Sequence, residues 1–422
     1  MRRHRRSAAV VALATAMALI AGCGRDAGGG GQEEATNVSE GKATGDITVW
    51  AMGAEGEKLG EFAKAFMAEN PEAKVNVTPV PWDGAFQKIQ SAIAANETPD
   101  VSMIGTTWQG TFAKTGALDA TPEVIDKSAF FPGAWDTTVV DGTSYGVPWY
   151  VETRLIFYRK DLAEKAGFTA PPKDWDELKA MAKGMKEKAG AQWGFNLQPG
   201  KTGSWQSVMP FAWSNGADVA SEDGFNFDTP EMTEALAYYQ SFFTEKLSPT
   251  ALPEGALEPD FVSGKIGAFI SGPWHVSLLE EKGGAGFADK YAVAPMPMKK
   301  SATSFIGGSN LAVFKDAKNR DGGWKFVQWL SKPDVQVKWY QESTDLPAVQ
   351  AGWDDQALAG DTVLKTFGQK LQDAKAPPAI PTWEQVAAAF DIEVEKLAKS
   401  GQDAAATAKA IQTQAEGIGT GS

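Results

Sequence analysis

Between residues 46 and 104 the hydrophobic period switches back and forth between two and about 3.6, and that alternation limits the fold more than any other feature. Asp46-Ile47-Thr48-Val49-Trp50 alternates as a strand does. Leu59, Phe62 and Phe66 then recur at helical spacing until Asn70-Pro71 stops the run. Val75 to Val80 predicts a second strand, Phe86, Ile89 and Ile93 a second helix, and Asp100-Val101-Ser102-Met103-Ile104 a third strand. Strands alternating with helices make parallel β-α units, so the fold class is α/β.

The pattern continues along the chain. Gly146 to Arg159 holds two apolar stretches around Glu152-Thr153-Arg154. Asp174-Trp175-Asp176-Glu177 predicts a capping box opening a helix to about Lys188, and Thr229-Pro230 sets a cap residue and then proline at the head of another. Ile266 to Ile270 predicts a short buried strand before Ser271-Gly272-Pro273-Trp274. The last third is mainly helical, with Trp324, Trp329 and Trp339 in core patterns and a long Ala-rich helix expected from about Trp383.

The first residues carry an address. Arg2, Arg3, Arg5 and Arg6 precede an apolar run from Ala8 to Ala21 that is short for a membrane span, which needs about 20 residues. Ile20-Ala21-Gly22-Cys23 then reads as the cut site of a lipoprotein signal peptide over 1–22, with Cys23 lipidated by palmitate-type chains that anchor stably when two or more are present. Residues 23–45 are Gly-rich, acidic and nearly free of large apolar side chains, as in a flexible linker. Cys23 is the single cysteine, so no internal disulfide is possible. The chain carries a net charge of −13, and its leader has four arginines and no acid, so the mature protein stands at −17. That balance argues against nucleic acid and strongly anionic ligands and suits a neutral or cationic one. All 15 tryptophans follow Cys23.

Four blocks carry a family resemblance. They are Ile47-Thr48-Val49-Trp50 with the Gly-containing loop after it; Thr98-Pro99-Asp100-Val101 with Lys114-Thr115-Gly116-Ala117-Leu118; Tyr145-Gly146-Val147-Pro148 through Tyr158-Arg159-Lys160-Asp161 and on to Pro171–Leu178; and Phe261 to Trp274, then Ala294-Pro295-Met296-Pro297 and Phe305-Ile306-Gly307-Gly308. In this order the chain resembles the family 1 extracellular solute-binding proteins of ABC importers, the group that includes maltose-binding protein. The resemblance implies the two-lobed type II periplasmic-binding-protein fold with a hinged cleft. It places crossings near Val151–Thr153, Ser304–Ile306 and Leu346–Val349. Lobe 1 is then 46–152 and 305–347, and lobe 2 is 153–304 and 348–422. The implied function is capture of an oligosaccharide, an α-glucoside such as maltose or trehalose, by a lipid-anchored monomer outside the cell membrane. Delivery is to the permease subunits of an ABC transporter, with no cofactor or metal.

A sugar presents apolar faces and a rim of hydroxyls, which tryptophans and carboxylates match. The resemblance implies that Trp274, in the family's Gly-Pro-Trp, stacks on a sugar ring. It implies that Glu152 accepts hydroxyl donors, with Arg154 either holding Glu152 or reaching the ligand. Thr107 and Trp108 stand where maltose binders carry an acidic–basic pair, and Glu55 where they have Asp-Lys. Trp205 and Trp383 fall in regions that supply aromatic contacts. Trp82-Asp83 follows a strand and is a similar candidate, and Ser309-Asn310 at the second crossing could bring an amide into the cleft.

Rival readings remain at this point. Besides His4 in the leader, His275 is the sole histidine, which leaves little room for a Ser-His-Asp triad or a histidine-rich zinc site. Composition leaves room for a two-carboxylate glycosidase. The same fold could instead take a polyamine, or ferric ion through Tyr238-Tyr239, although these lie in a helical core pattern.

Overall fold

A computed structural model describes residues 37–421, apart from Thr202, Glu222, Asp223 and Glu254 and the side chains of Asp83 and Ser221. The leader, Cys23 and most of the tether lie outside the described residues.

Gly45–Met52 (β1) and Ala73–Val80 (β2) pair in parallel from end to end, Gly45 opposite Ala73 and Met52 opposite Val80. Gly53–Glu69 (α1) joins them, and Trp82–Ala95 (α2) leads to Val101–Gly105 (β3), parallel to β1 on its other side. These are the β-α units expected from the sequence, because a parallel pair needs a crossover long enough for a helix. After one 3₁₀ turn, Thr106–Trp108, comes Gln109–Lys114 (α3).

Val147–Thr153 (β4) and Leu155–Arg159 (β5) are separated by Arg154 alone, yet belong to different sheets. Trp175–Glu187 (α4), Trp205–Ser214 (α5) and Pro230–Thr244 (α6) follow. Asp174 accepts from Glu177 N while Glu177 accepts from Lys173 N, and Thr229 accepts from Met232 N, so both predicted caps form. Ala268–Ser271 (β6), Trp274–Gly283 (α7) and Tyr291–Ala294 (β7) come next, with β6 and β7 flanking β5 antiparallel. Ile306–Val313 (β8) pairs antiparallel with both β3 and β4. Arg320–Leu330 (α8), Pro333–Ser343 (α9) and the short Leu346–Pro347 (β9) follow.

The strands make one six-stranded sheet, in the order β9-β4-β8-β3-β1-β2, and one three-stranded sheet, β6-β5-β7. The chain passes between them at Arg154, again between β7 and β8, and once more beyond β9. Ser304 Oγ donates to the Arg154 carbonyl at 2.7 Å, which ties the first two passages together. Every residue of β5 is buried, as in a strand covered on both faces. Leu155 and Phe157 join the apolar core of the larger sheet, whereas Ile156 and Tyr158 join a second core with Trp175, Phe211 and Phe390.

The long Ala-rich helix expected from Trp383 is corrected to two. Trp383–Glu395 (α10) runs into a π turn over Lys396–Ser400, ends at Gly401 with φ of 71°, and restarts as Ala404–Ile418 (α11). Glycine takes the left-handed conformation freely, and Asp403 caps the new start from Ala405 N and Ala406 N. Tyr238 and Tyr239 donate their hydroxyls to the Trp175 and Gln198 carbonyls inside the core, which removes them as metal ligands. No helix among the described residues is long and apolar enough to cross a membrane.

Asp345, just before β9, accepts from Trp339 Nε1 at 2.9 Å. Burial, reinforced by the charge of Glu55, pushes its pKa up to about 7. The folded chain therefore holds this proton more tightly than the unfolded one. The stability that protonation adds is complete below the ordinary value of 3.8 and is lost as pH rises through about 7. Asp345→Asn keeps an acceptor for the indole and removes the titration. In thermal melts between pH 5 and 7 the parent should lose stability relative to this variant, by at most about 1.4 kcal/mol per pH unit. Parallel pH profiles would contradict a raised acid at this position.

Candidate functional site

The ends of β3 and β8, the head of α2, the head of α5 and one face of α10 converge on a cavity of about 550 Å³. That lies within the range of small-molecule clefts, about 300–1,000 Å³. Trp82 and Trp108 enter it from the half built on the larger sheet, and Trp205, with α10, from the other. Phe305, Gly307 and Gly308 lie on the returning passage and form part of the lining.

Local backbone chemistry sets the rings. Trp82, 38% exposed, opens α2, and its indole edge lies where a side chain on Gly53 would stand, 2.6 Å from a Cβ there. Gly53 has φ of 56°, so glycine suits the turn and the contact together. Trp108 sits on the turn after β3, edge-on to Trp82 at 5.5 Å and to Phe86 at 5.6 Å. Gly307 lacks a side chain where the Phe305 ring and a Glu152 carboxylate oxygen close in.

Trp205, only 4% exposed, is the first residue of α5. The Asp391 carboxylate fixes that helix start: Oδ1 accepts from Ser204 Oγ and Trp205 N, both at 2.8 Å, and Oδ2 from Gly203 N at 2.7 Å. A carboxylate at a helix N-terminus satisfies donors that have no partner within the helix. Burial nevertheless raises the Asp391 pKa, against the pull of these bonds. Glu384, about two turns earlier on α10, faces Thr107 across the cleft and is hydrogen-bonded to it. Burial raises its pKa also.

The other sequence candidates fall in different places. Glu152 lines the cavity and pairs with Arg154 at 3.2 Å. Trp383, 1% exposed, stands behind Trp205 and meets its ring edge-on at 5.2 Å, so it backs the wall and is not part of it. Glu55 lies on the first turn of α1, hydrogen-bonded to Tyr150, with its pKa raised by burial. Asp83 is the second residue of α2, its side chain outside the description. Trp274, 37% exposed at the head of α7, is not in the lining, and the Arg154 guanidinium lies over its ring.

Ser309-Asn310 requires a correction. A bulge between these residues turns both side chains into the protein, where both are fully buried. Asn310 Nδ2 donates to Gln109 Oε1 and Thr137 Oγ1, and Ser309 Oγ meets the Tyr150 hydroxyl. Their polar atoms serve the fold, and neither reaches the cavity.

Sequence reading missed Gln206, Glu384, Asp391 and Glu395. A signal existed for the last three, because Glu384, Asp391 and Glu395 share one face of α10 and give it polar character.

His275 forms a chain with Ser271 (2.6 Å to Nδ1) and Glu258 (3.2 Å to Nε2). The trio is outside the cavity lining, and Ser271 and His275 are both buried. Burial lowers the His275 pKa against the pull of Glu258, and the string braces the first turn of α7. No group of carboxylates, histidines or cysteines suited to a metal occurs among the described residues.

Aromatic faces and acceptors from both halves line one cavity and can hold a solute. Known proteins agree with that architecture. A binding protein of Brucella abortus is 32% identical over 78% of this chain and 81% of its own length. The diacetylchitobiose binding protein DasA of Streptomyces coelicolor is 27% identical over 90% of each chain. The solved sugar-binding protein MalE of Xanthomonas citri superposes with a TM-score of 0.83 at 30% identity, covering 89% of this chain and 97% of that one. The family profile of the bacterial extracellular solute-binding proteins matches residues 51–337, and the chain belongs to that family.

Proposed function

We propose that this protein captures an oligosaccharide outside the cell membrane and hands it to the permease of an ABC transporter. The observation that carries the reading is the pairing of Trp82 and Trp108 with Trp205 across one cavity, among hydroxyl-reading groups on Glu152, Thr107, Gln206 and Glu384. Flat rings bury the apolar faces of a sugar, and carboxylates accept from its hydroxyls. The saccharide-binding relatives from Streptomyces and Xanthomonas support the same class of ligand. We assign the lobes as 46–152 with 305–347 and 153–304 with 348–422. Hinge closure about the three passages then clamps the ligand, driven only by its preference for the closed state. Lipidation at Cys23 keeps the receptor near its permease, and an α-glucoside such as maltose or trehalose is the first ligand to try.

A cationic solute is the second reading, because four carboxylates line the cavity: Glu152, Glu384, Asp391 and Glu395. Three already have partners that offset their charge or fill their acceptor sites, in Arg154, Lys399 and the Asp391 cluster, which favours the neutral sugar. Tryptophan-fluorescence titration of the mature protein with maltose, trehalose, N,N′-diacetylchitobiose and spermidine separates the two. Saturable change with at least one saccharide and none with spermidine is expected; the reverse would overturn the sugar assignment. Chromatography of the same mixtures should find the saccharide intact, whereas a cleavage product would mark a glycosidase.

A further inference from the structure

We propose that Arg154 fixes the hydrogen-bonding polarity of one end of the cleft, setting Gln206 as a donor beside Glu152 as an acceptor. That pair reads two hydroxyls on neighbouring carbons of one sugar ring, which rests on the saccharide reading above. Arg154 is 8% exposed and occupies the first passage between the sheets. Ser304 Oγ, from the second passage, donates to its carbonyl at 2.7 Å. Its guanidinium carbon lies 5.1 Å from the centre of the Phe305 ring and 4.7 Å from that of Trp274. Nη2 donates to Gln206 Oε1, and Nη1 faces Glu152 Oε1 at 3.2 Å as an ion pair without a hydrogen bond. Both nitrogens sit on one carbon of a rigid plane, so the two side chains are held next to each other, and both line the cavity.

Arginine carries N–H donors and no acceptor. An amide that meets it has to present its oxygen, which leaves the Nε2 hydrogens of Gln206 as what this side chain offers a ligand. The Glu152 carboxylate only accepts, and because Nη1 gives it no hydrogen bond, its acceptor sites remain for ligand hydroxyls. The positive charge beside it offsets its own, which suits a neutral partner better than a cation. A hydroxyl both donates and accepts. A neighbouring pair can therefore give one hydrogen to Glu152 while its second oxygen receives one from Gln206. Without the guanidinium the amide is free to rotate, and its donor end is no longer fixed.

The test is calorimetry with whichever disaccharide binds the parent most tightly, and with its monodeoxy analogues. In the parent, deoxygenation at either of two neighbouring carbons should weaken binding by about tenfold or more, because a buried polar group is left unpaired. Gln206→Ala should cost the intact disaccharide about tenfold and should reduce the penalty at one of those carbons to under about threefold. In an Arg154→Met background, Gln206→Ala should cost under about threefold, since the amide has already lost its orientation. Should Arg154→Met not fold, the same cycle is run on Arg154→Lys, whose point charge does not hold both side chains in one plane, and the same loss of additivity is expected. Gln206→Glu keeps a partner for Arg154 but exchanges a donor for an acceptor, so the melting temperature should hold while affinity falls by about tenfold. Additive losses from the substitutions at 154 and 206, or deoxy penalties unchanged by Gln206→Ala, would overturn the proposal. Failure of the parent to bind any saccharide would instead overturn the functional reading on which it rests.

Discussion

Trp108→Ala should weaken saccharide binding by about 2–4 kcal/mol, roughly thirty- to several-hundred-fold, while the protein stays folded. The ring is partly buried, braced edge-on by Trp82 and Phe86 and lying close over Gly105, where a Cβ would come within 3.4 Å of it. Those neighbours fix it in place and leave a face to the cavity, so the ligand finds it already ordered. Preorganised aromatic rings are the residues whose truncation costs most in binding, because little entropy is lost when the ligand arrives. Trp108→Phe keeps part of the face and should fall between parent and alanine. Calorimetry checks the series. Equal affinities for all three proteins would remove Trp108 from the site.

Asp391→Ala should reduce both stability and affinity. The carboxylate serves three donors, Gly203 N, Ser204 Oγ and Trp205 N, and all three lose their acceptor at once. A buried donor without a partner costs about 1–3 kcal/mol, so a total loss of at least about 3 kcal/mol is expected. The loop before α5 then no longer fixes Trp205, and ligand affinity should fall at least tenfold as that platform loosens. Asp391→Asn retains an acceptor and should recover part of both. A melting temperature and an affinity equal to those of the parent would show that the carboxylate does not support the wall.

The β-α alternation of residues 46–104 was legible because each element buries one face, and a period of two or 3.6 records that directly in the chain. The caps at Asp174 and Thr229 were legible for a similar reason: a short polar side chain three residues before an amide it can accept from is a local device. What sequence order could not show was which polar residues face the cavity. Asn310 sits two residues after Gly308, yet a bulge before it turns its amide inward to Gln109 and Thr137. Trp383 adjoins Glu384, yet the helix turns the indole behind Trp205 and the carboxyl toward Thr107.

Trp274 shows the same limit over a longer range. What lies against the ring of its Gly-Pro-Trp motif is set by Arg154, 120 residues earlier in the numbering. The break after α10 depended on Gly401 and Asp403 prevailing over the helix preference of the flanking alanines. A distant partner decided the first of these points and local backbone chemistry the second.

A crystal structure of the mature protein with the tightest-binding saccharide of the titration panel tests the central claim most directly. The account predicts sugar rings between Trp108 and Trp205, hydroxyls within hydrogen-bonding distance of Glu152 or Glu384, and contacts from both lobes. A saccharide bound elsewhere, or held by one lobe without either tryptophan, would contradict it.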